Sequence, residues 1–349
     1  MKEGYRLLGD FIQPVDERNR DLKVDYLLGV SISKQFIPSI ANIVGTDLSS
    51  YKIVRTGQFA YGPVTSRNGE KISIALLQDK DCIISSSYTV FEVTDNERLD
   101  PEYLMLWFSR PEFDRYTRYM SHGSVREIFD WDELCKVELP VPSIEKQRGI
   151  VKAYNTITDR IELKRKINDN LEAVLAASHS KMFFSMDTSE HSKLGELMTF
   201  GNGKSRPKTD GPIPVYGGNG VLSYTDHHNI ENAVLIGRVG AYCGSVYLEQ
   251  GICWVSDNAI FAKSKITKDE FFDYFLLKRL NLFNHHVGTG QQLLTQEILN
   301  NIEVPKPVTE QIELFNRKAT SIFETIFTNS REIIRLQELS DLLLSRLAG

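Results

Sequence analysis

The sequence predicts an α/β (α+β) chain in which two similar domains alternate with two long helices, the helices forming an antiparallel coiled coil. Three observations predict it. A strand-like phrase closed by Pro-x-Pro occurs twice, as Val137-Glu138-Leu139-Pro140-Val141-Pro142 and Ile302-Glu303-Val304-Pro305-Lys306-Pro307. Each phrase runs through a Glu and a Gln (Glu145 and Gln147, then Glu310 and Gln311) into about forty residues of helical pattern without an internal Pro. The segments ahead of the two phrases repeat one order of elements. Repetition on this scale decides architecture more strongly than local propensity. It sets four segments: 1–143 a first domain, 144–185 a first helix, 186–308 a second domain and 309–349 a second helix, a pseudo-twofold internal repeat.

The first domain reads as mixed and mainly β. Tyr5–Ile12 is a short helix or strand, and β-branched runs follow at Tyr51–Val54, Ile72–Leu76 and Tyr88–Val93. Asp100-Pro101 opens a helix through Tyr103 and Phe108, because Pro suits a first helical turn. A polar glycine loop, Ser121-His122-Gly123-Ser124, then precedes a short amphipathic piece from Val125 to Leu134. The second domain keeps the order. Leu194-Gly195-Glu196 answers Leu8-Gly9-Asp10, Ser256–Phe261 answers Ser86–Phe91, Tyr274–Leu277 answers Tyr103–Leu106, and Gly288 answers Gly123. The offset between copies shrinks along the chain, so the second copy has the shorter early part.

The helices carry 3-4 spaced seams. In the first they are Ile150, Tyr154, Ile157, Ile161, Lys164, Asn168, Leu171, Leu175, Ser178 and Met182, seven of the ten apolar. In the second they are Ile312, Phe315, Ala319, Ile322, Ile326, Asn329, Ile333, Leu336, Ser340, Leu343 and Leu347, nine of the eleven apolar. A sustained 3.5-residue period marks a coiled-coil seam rather than an isolated buried helix. Lys164, Asn168 and Asn329 cost stability there but fix register and partner.

Composition excludes several classes. Formal net charge is −5, with 41% hydrophobic and 25% charged residues. That is an ordinary globular balance, and it argues against a protein that simply coats nucleic acid. Cys82, Cys135, Cys243 and Cys253 form no CxxC pair and fit a reducing cytoplasm. No apolar run is long enough to span a membrane. Gly201-Asn202-Gly203-Lys204-Ser205 imitates the end of a phosphate-binding loop, but Met198 stands where its first Gly belongs. His227-His228 and His285-His286 lack the i, i+3 or i+4 spacing of metal ligands. No methylase or nuclease motif appears in a strand context that would support it.

The doubled Pro-x-Pro helix openings resemble those of the specificity (S) subunits of type I restriction–modification systems. So do Tyr51-x-x-Val54-x-x-Gly57-x-Phe59-x-Tyr61, Ile213-Pro214-Val215-Tyr216-Gly217-Gly218-Asn219-Gly220 and Val234–Gly244. The resemblance covers essentially the whole chain, in the order recognition domain, spacer helix, recognition domain, spacer helix. One departure is the extra residue between Glu145 and Gln147. The resemblance implies a non-catalytic reader of double-stranded DNA, in which each target recognition domain reads half of an asymmetric bipartite site. It implies two modification (methyltransferase) subunits and ATP-dependent restriction subunits as partners. S-adenosylmethionine, Mg and ATP are then expected on those partners and no cofactor in this chain.

On this reading, polar and glycine-bearing loops are the candidate DNA contacts. Glycines let the backbone approach phosphates, and Arg or Gln make bidentate contacts to guanine or adenine edges. The candidates are Arg67, Asn68, His122, Ser124 and Arg126 in the first domain. In the second they are Lys204, Arg206, Lys208, Asn219, Arg238, Tyr242, His286, Gln291 and Gln292. Tyr216–Gly220 also reads as a tight turn, since Gly-Gly and Asn-Gly favour positive φ. The docking and coiled-coil set is Ile150, Tyr154, Ile157, Ile161, Leu171, Leu175, Ile322, Ile326, Ile333 and Leu343. Two rivals stay open: a coiled-coil adaptor whose globular ends bind protein, and a small-molecule enzyme that would depend on Lys204.

Overall fold

The computed structural model describes residues 4–39, 45–66, 68–122, 127–184, 190–288 and 290–348. The chain divides into two compact units, Met1–Leu163 with Ile333–Gly349, and Lys164–Glu332. Each unit therefore contains one domain and part of both long helices.

In the first unit, strands β1 (Tyr5–Leu7), β2 (Ile12–Val15), β3 (Leu28–Val30), β4 (Phe36–Pro38), β5 (Lys52–Val54), β6 (Phe59–Tyr61), β7 (Ile74–Leu76), β8 (Cys82–Ile84) and β9 (Thr89–Val93) come first. Helices α1 (Pro101–Phe108), α2 (Pro111–Met120) and α3 (Trp131–Cys135), strand β10 (Glu138–Pro140) and the long helix α4 (Ile144–Phe184) follow. A four-stranded sheet has the order β2-β9-β6-β7, beside the pairs β3-β4 and β5-β8. In the second unit come β11 (His191–Lys193), α5 (Leu194–Leu197), β12 (Met198–Asn202), β13 (Ile213–Gly217), β14 (Gly220–Thr225), β15 (Ile230–Gly237), β16 (Val246–Val255) and β17 (Ala259–Ser264). They lead to α6 (Phe271–Arg279), α7 (Gln296–Asn301), β18 (Glu303–Pro305) and the long helix α8 (Thr309–Ser345). Here one six-stranded sheet has the order β12-β17-β15-β16-β13-β14.

Both Pro-x-Pro phrases are strands with the same partner. β1 pairs antiparallel with β10 (Tyr5↔Pro140, Leu7↔Glu138), and β11 pairs antiparallel with β18 (His191↔Pro305, Lys193↔Glu303). Proline is tolerated because these two-stranded ladders are all edge. The turn after each first strand explains the Leu-Gly repeat. Leu8 and Leu194 are fully buried, and their N–H groups donate to Val137 O (2.8 Å) and Ile302 O (2.9 Å). A Cβ on Gly9 would lie 2.9 Å from Cys135 Cβ, and one on Gly195 would lie 2.5 Å from Asn300 Oδ1. Glycine lets this turn press onto the short helix, α3 or α7.

Helix starts follow capping chemistry. Asp100 accepts from the N–H groups of Glu102 and Tyr103 at the head of α1, with Pro101 in the first turn. Asp130 and Thr295 do the same for α3 and α7. Of the amphipathic piece expected from Val125 to Leu134, Val125 and Arg126 lie outside the described residues; Ile128 is held in backbone bridges to Val64 and His122, and the helix starts at Trp131.

The long helices run antiparallel where each unit holds them. In the second unit His179 packs on Phe315 while Asn168, earlier in α4, reaches Ile326 and Ser330, later in α8. Leu175, Ile312, Phe315, Ala319 and Phe323 are buried in that unit's core, with Leu171 half-buried and Ile322 and Ile326 packed at its edge. In the first unit Val151, Leu344 and Leu347 join the core, and Ile150 and Tyr154 pack against it. Ile161 is buried, while Ile157, Ile333 and Leu343 are half-buried. Ser178 is exposed, a correction to the expected seam: His179 takes the inward position. Its ring centroid is 4.7 Å from that of Phe272 and 5.4 Å from that of Phe315. An α-helix drifts against a strict 3.5 repeat, so the inward position advances by one residue.

The polar seam residues pair with one another. Lys164 Nζ donates to Asn329 Oδ1 (2.9 Å) and lies 2.7 Å from Glu332 Oε2; Asn329 Nδ2 donates to Asn168 Oδ1 (2.9 Å). Two further amides anchor domains to helices. In the first unit buried Gln147 accepts from Asp100 N (2.9 Å) and donates to Arg98 O and Pro142 O. In the second unit the equivalent clamp is Asn316, not Gln311: it accepts from Phe272 N and donates to Thr267 Oγ1 and Asp269 O, each at 2.9 Å. Among the described residues no helix is long and apolar enough to cross a membrane.

Candidate nucleic-acid interface

The loops of the second unit converge on one turn, Ser256–Asn258, between β16 and β17. Strand β15 ends at Gly237, and the next N–H, of Arg238, donates to Asn258 O (3.0 Å). Lys204 N donates to Val255 O (2.9 Å), and Lys204 is bridged to Ser256. A Cβ on Gly218 would lie 3.6 Å from Asn258 O and 3.7 Å from Tyr242 Cβ, which brings the β13–β14 hairpin tip to the same place. Val239 bridges Leu293, and Leu293 bridges Val287. Gly240 N donates to Gln292 O (3.0 Å) and Leu294 N to Arg238 O (2.9 Å). Lys204, Asn219, Arg238, Tyr242, Gln291 and Gln292 thus meet.

Close approach of backbones makes this possible. A Cβ on Gly237 would sit 2.1 Å from Tyr242 O, and one on Gly203 would sit 2.0 Å from Ser256 O. This is also why Gly203-Lys204 does not cradle a phosphate in P-loop fashion: Lys204 continues as bridged, extended chain rather than opening a helix. The hairpin turn is tight, as expected, but only Gly220 has a positive φ (+77°). Behind the cluster, the Tyr216 hydroxyl donates to Glu249 Oε2 (2.9 Å). Burial, and then the charge of Glu249, pushes the Tyr216 hydroxyl far up; burial also raises the Glu249 carboxyl. Arg238 is half-buried with Nη1 3.5 Å from Asp257 O, and Lys204 is exposed.

The first unit builds the same assembly from other residues. Gly62 holds the place of Gly237, and a Cβ there would lie 2.7 Å from Ser73 Oγ and 3.4 Å from Tyr88. Val64 bridges Ile128, and Ile128 bridges His122. Thr65 N donates to Glu127 O (3.0 Å) and Phe129 N to Pro63 O (2.9 Å), bond for bond as in the second unit. The turn ending in Ser87-Tyr88 stands for Asp257-Asn258, and Gly62, Asn68, Ser87 and Tyr88 line a small cleft of about 240 Å³.

The structure therefore brings Asn68 and His122 to one assembly, although Asn68 Nδ2 points back to Val64 O at 3.4 Å. Arg67, Ser124 and Arg126 lie outside the described residues. Arg206 and Lys208 are exposed but leave the second cluster. Thr209, next to Lys208, bonds to Thr225 and Asp226 at the far end of the β13–β14 hairpin. His286 is half-buried and bonds locally, with Nδ1 2.5 Å from Phe283 O. Sequence reasoning missed Ser87, Tyr88, Asp257 and Asn258 as site residues. The available signal was turn chemistry: Ser and Asp-Asn dipeptides between two β runs.

The chain is thus a doubled domain with one loop assembly per copy, each copy tied to a long helix. The chain belongs to the type I restriction modification DNA specificity domain family, whose model matches residues 39–173 and 186–342. It is similar to the type I restriction enzyme MjaIX specificity subunit of Methanocaldococcus jannaschii, 21% identical over 296 residues, covering 70% of this chain and 68% of that protein. It is also similar to the HindI specificity subunit of Haemophilus influenzae, 25% identical over 154 residues, covering 42% of this chain and 32% of that one. The crystal structure of the type-I restriction-modification system S subunit from M. genitalium shares the fold, with TM-score 0.63 at 17% identity, covering 99% of this chain and 96% of that one.

Proposed function

We propose that the chain is the non-catalytic, sequence-reading subunit of a type I restriction–modification complex. Each unit reads one half of an asymmetric bipartite site on double-stranded DNA. The observation that carries this reading is the repeated loop assembly filled with different side chains. One copy presents His122, Ser87 and Tyr88; the other presents Lys204, Arg238, Tyr242, Gln291 and Gln292. Equal scaffolds with unequal contact groups suit two unequal half-sites. Lysine and arginine hold phosphates and set register, while Arg and Gln on base edges set the sequence. The helices α4 and α8 set the spacer and dock two methyltransferase subunits, and restriction subunits join that complex. S-adenosylmethionine, Mg and ATP belong to those partners, and the assembly works in the cytoplasm.

The test is to insert one heptad into both α4 and α8 and determine the site selected with the modification subunits present. Both half-sites should stay the same and the spacer between them should lengthen. An unchanged spacer overturns the ruler, and binding to a mixed DNA pool without preference overturns the reader. Affinity should also fall linearly with salt on logarithmic axes; salt-insensitive capture of a protein instead would favour the adaptor.

A further inference from the structure

We propose that the first unit carries a binding pocket for a carboxylate on an aromatic or apolar stem, with Arg110 as its anchor. Arg110 lies between α1 and α2, and Pro111 at the head of α2 holds the chain there in extended form. Its guanidinium folds back over the Trp107 ring, 4.2 Å from the centroid. The residue is only 5% exposed. Buried arginines are normally paired with a carboxylate and hydrogen-bonded on every edge. This one is not. Its nearest carboxylate, Glu112 Oε2, is 3.5 Å from Nη2 and belongs to a side chain 47% exposed. Charge-assisted bonds of this type close at about 2.7–2.9 Å. The Nε has no hydrogen-bond partner among the described residues. Burial accordingly pulls the guanidinium below its ordinary range.

A cavity of about 440 Å³ is lined by Arg110, with Trp107, Phe113 and Tyr116 as walls and Lys136 and the carboxylates of Glu112 and Glu138 completing the lining. That volume is in the range of small-molecule sites. The Nε–Nη2 edge, with Nε unpartnered among the described residues and Nη2 held only by the long contact to Glu112, is the fork that a carboxylate would take with two parallel bonds. The aromatic walls supply the apolar contact for whatever carries the carboxylate. The pocket is private to the first unit. Where Trp107 and Arg110 stand, the repeat pattern places Lys278 and Asn281 in the second, so the site is not part of the doubled loop assembly. Glu112 is its natural competitor: when a ligand enters, that side chain leaves to solvent.

The experiment titrates the full chain with benzoate and, as the neutral isostere, benzamide. Binding is followed by the Trp107 indole and Arg110 Nε NMR signals. Benzoate should saturate, and benzamide should bind at least tenfold more weakly. Glu112→Gln should tighten benzoate severalfold, and Arg110→Gln should abolish it without moving the thermal midpoint of unfolding. No saturation, equal binding of benzamide, or benzoate binding retained in Arg110→Gln overturns the pocket. If Arg110→Gln fails to fold, the benzoate–benzamide ratio on the unaltered chain decides alone. The blocked dipeptide N-acetyl-Phe-Glu-amide separates the sources. Tighter binding than benzoate assigns the carboxylate to an acidic peptide segment; weaker binding assigns it to a free small acid.

Discussion

In the first unit the β1–β10 ladder, the Leu-Gly turn and a capped short helix enclose a sheet broken into short strands, four at most in one ladder. In the second unit the same ladder, turn and short helix enclose one continuous six-stranded sheet with strands up to ten residues long. The frame next to the long helices is thus repeated bond for bond, and the body beyond it is not. What is kept is the geometry that fastens a domain to a helix and pinches two loops together. What has changed is the filling, which is the expected pattern if the helix end is common and the loop end selective.

The largest expected difference lies at the equivalent glycines. Gly237→Ala meets a backbone oxygen that cannot step aside, so it should cost the second unit about 3 kcal/mol, the upper end of overpacking. Gly62→Ala meets the Ser73 hydroxyl, which can rotate away, and should cost about 1 kcal/mol. Urea unfolding of each variant reads both values, and equal costs would break the contrast.

The amide clamps come next. Gln147→Ala and Asn316→Ala each strand buried partners and should cost roughly 1–3 kcal/mol. Gln311→Ala should stay within about 0.5 kcal/mol, although Gln311 and not Asn316 is the residue that aligns with Gln147. A large loss at Gln311 would reverse the assignment.

The second unit should hold two opposed pH responses, the first unit one. Burial, with the charge of Glu270 adding to it, pushes the Asp273 carboxyl up to about 7. An unfolded Asp titrates near 3.9, so between about pH 4 and 7 the folded second unit holds the extra proton and loses stability as pH rises. His179 runs the other way. Burial, with Arg279 adding to it, lowers it to about 4, so its contribution is lost as pH falls from about 6.5 toward 4. In the first unit Arg55 and the Thr56 N–H hold the Asp81 carboxyl low, which favours stability as pH rises from acid. Amide exchange in α6 and β8 should separate these trends. Asp273→Asn should remove the decline toward pH 7, and His179→Leu should remove the acid-side loss.

The smallest effect concerns the polar seam. Replacing Lys164, Asn168 and Asn329 together with Leu should leave thermal stability unchanged or raised by a few degrees, because apolar packing often matches a buried polar network. The same change should broaden the range of DNA spacers accepted, measured by site selection. A sharp loss of stability would show the network to be structural rather than register-setting.

Much of this was legible in the residues. The doubled Pro-x-Pro phrase, the capped α1 and the 3.5-residue seams follow from local pattern, and the structure reproduces each except at Ser178. Lys204, Asn219, Arg238, Tyr242, Gln291 and Gln292 were legible as polar or glycine-loop residues, but their meeting was not. It depends on Gly203, Gly218 and Gly237 admitting distant backbones, a property of pairs of segments and not of any one segment. His179 in place of Ser178 and Asn316 in place of Gln311 were illegible for the same reason: helix drift and the neighbouring domain choose which residue faces inward.

The sequence by itself determined the two-copy order, the strand that closes each domain and the helix that follows, because hydrophobic period, proline and capping side chains act within a few residues. The tertiary structure alone decided which loops share a turn, which amide clamps each domain and which buried arginine keeps an Nε unbonded among the described residues. Those outcomes depend on close packing between segments far apart in the chain.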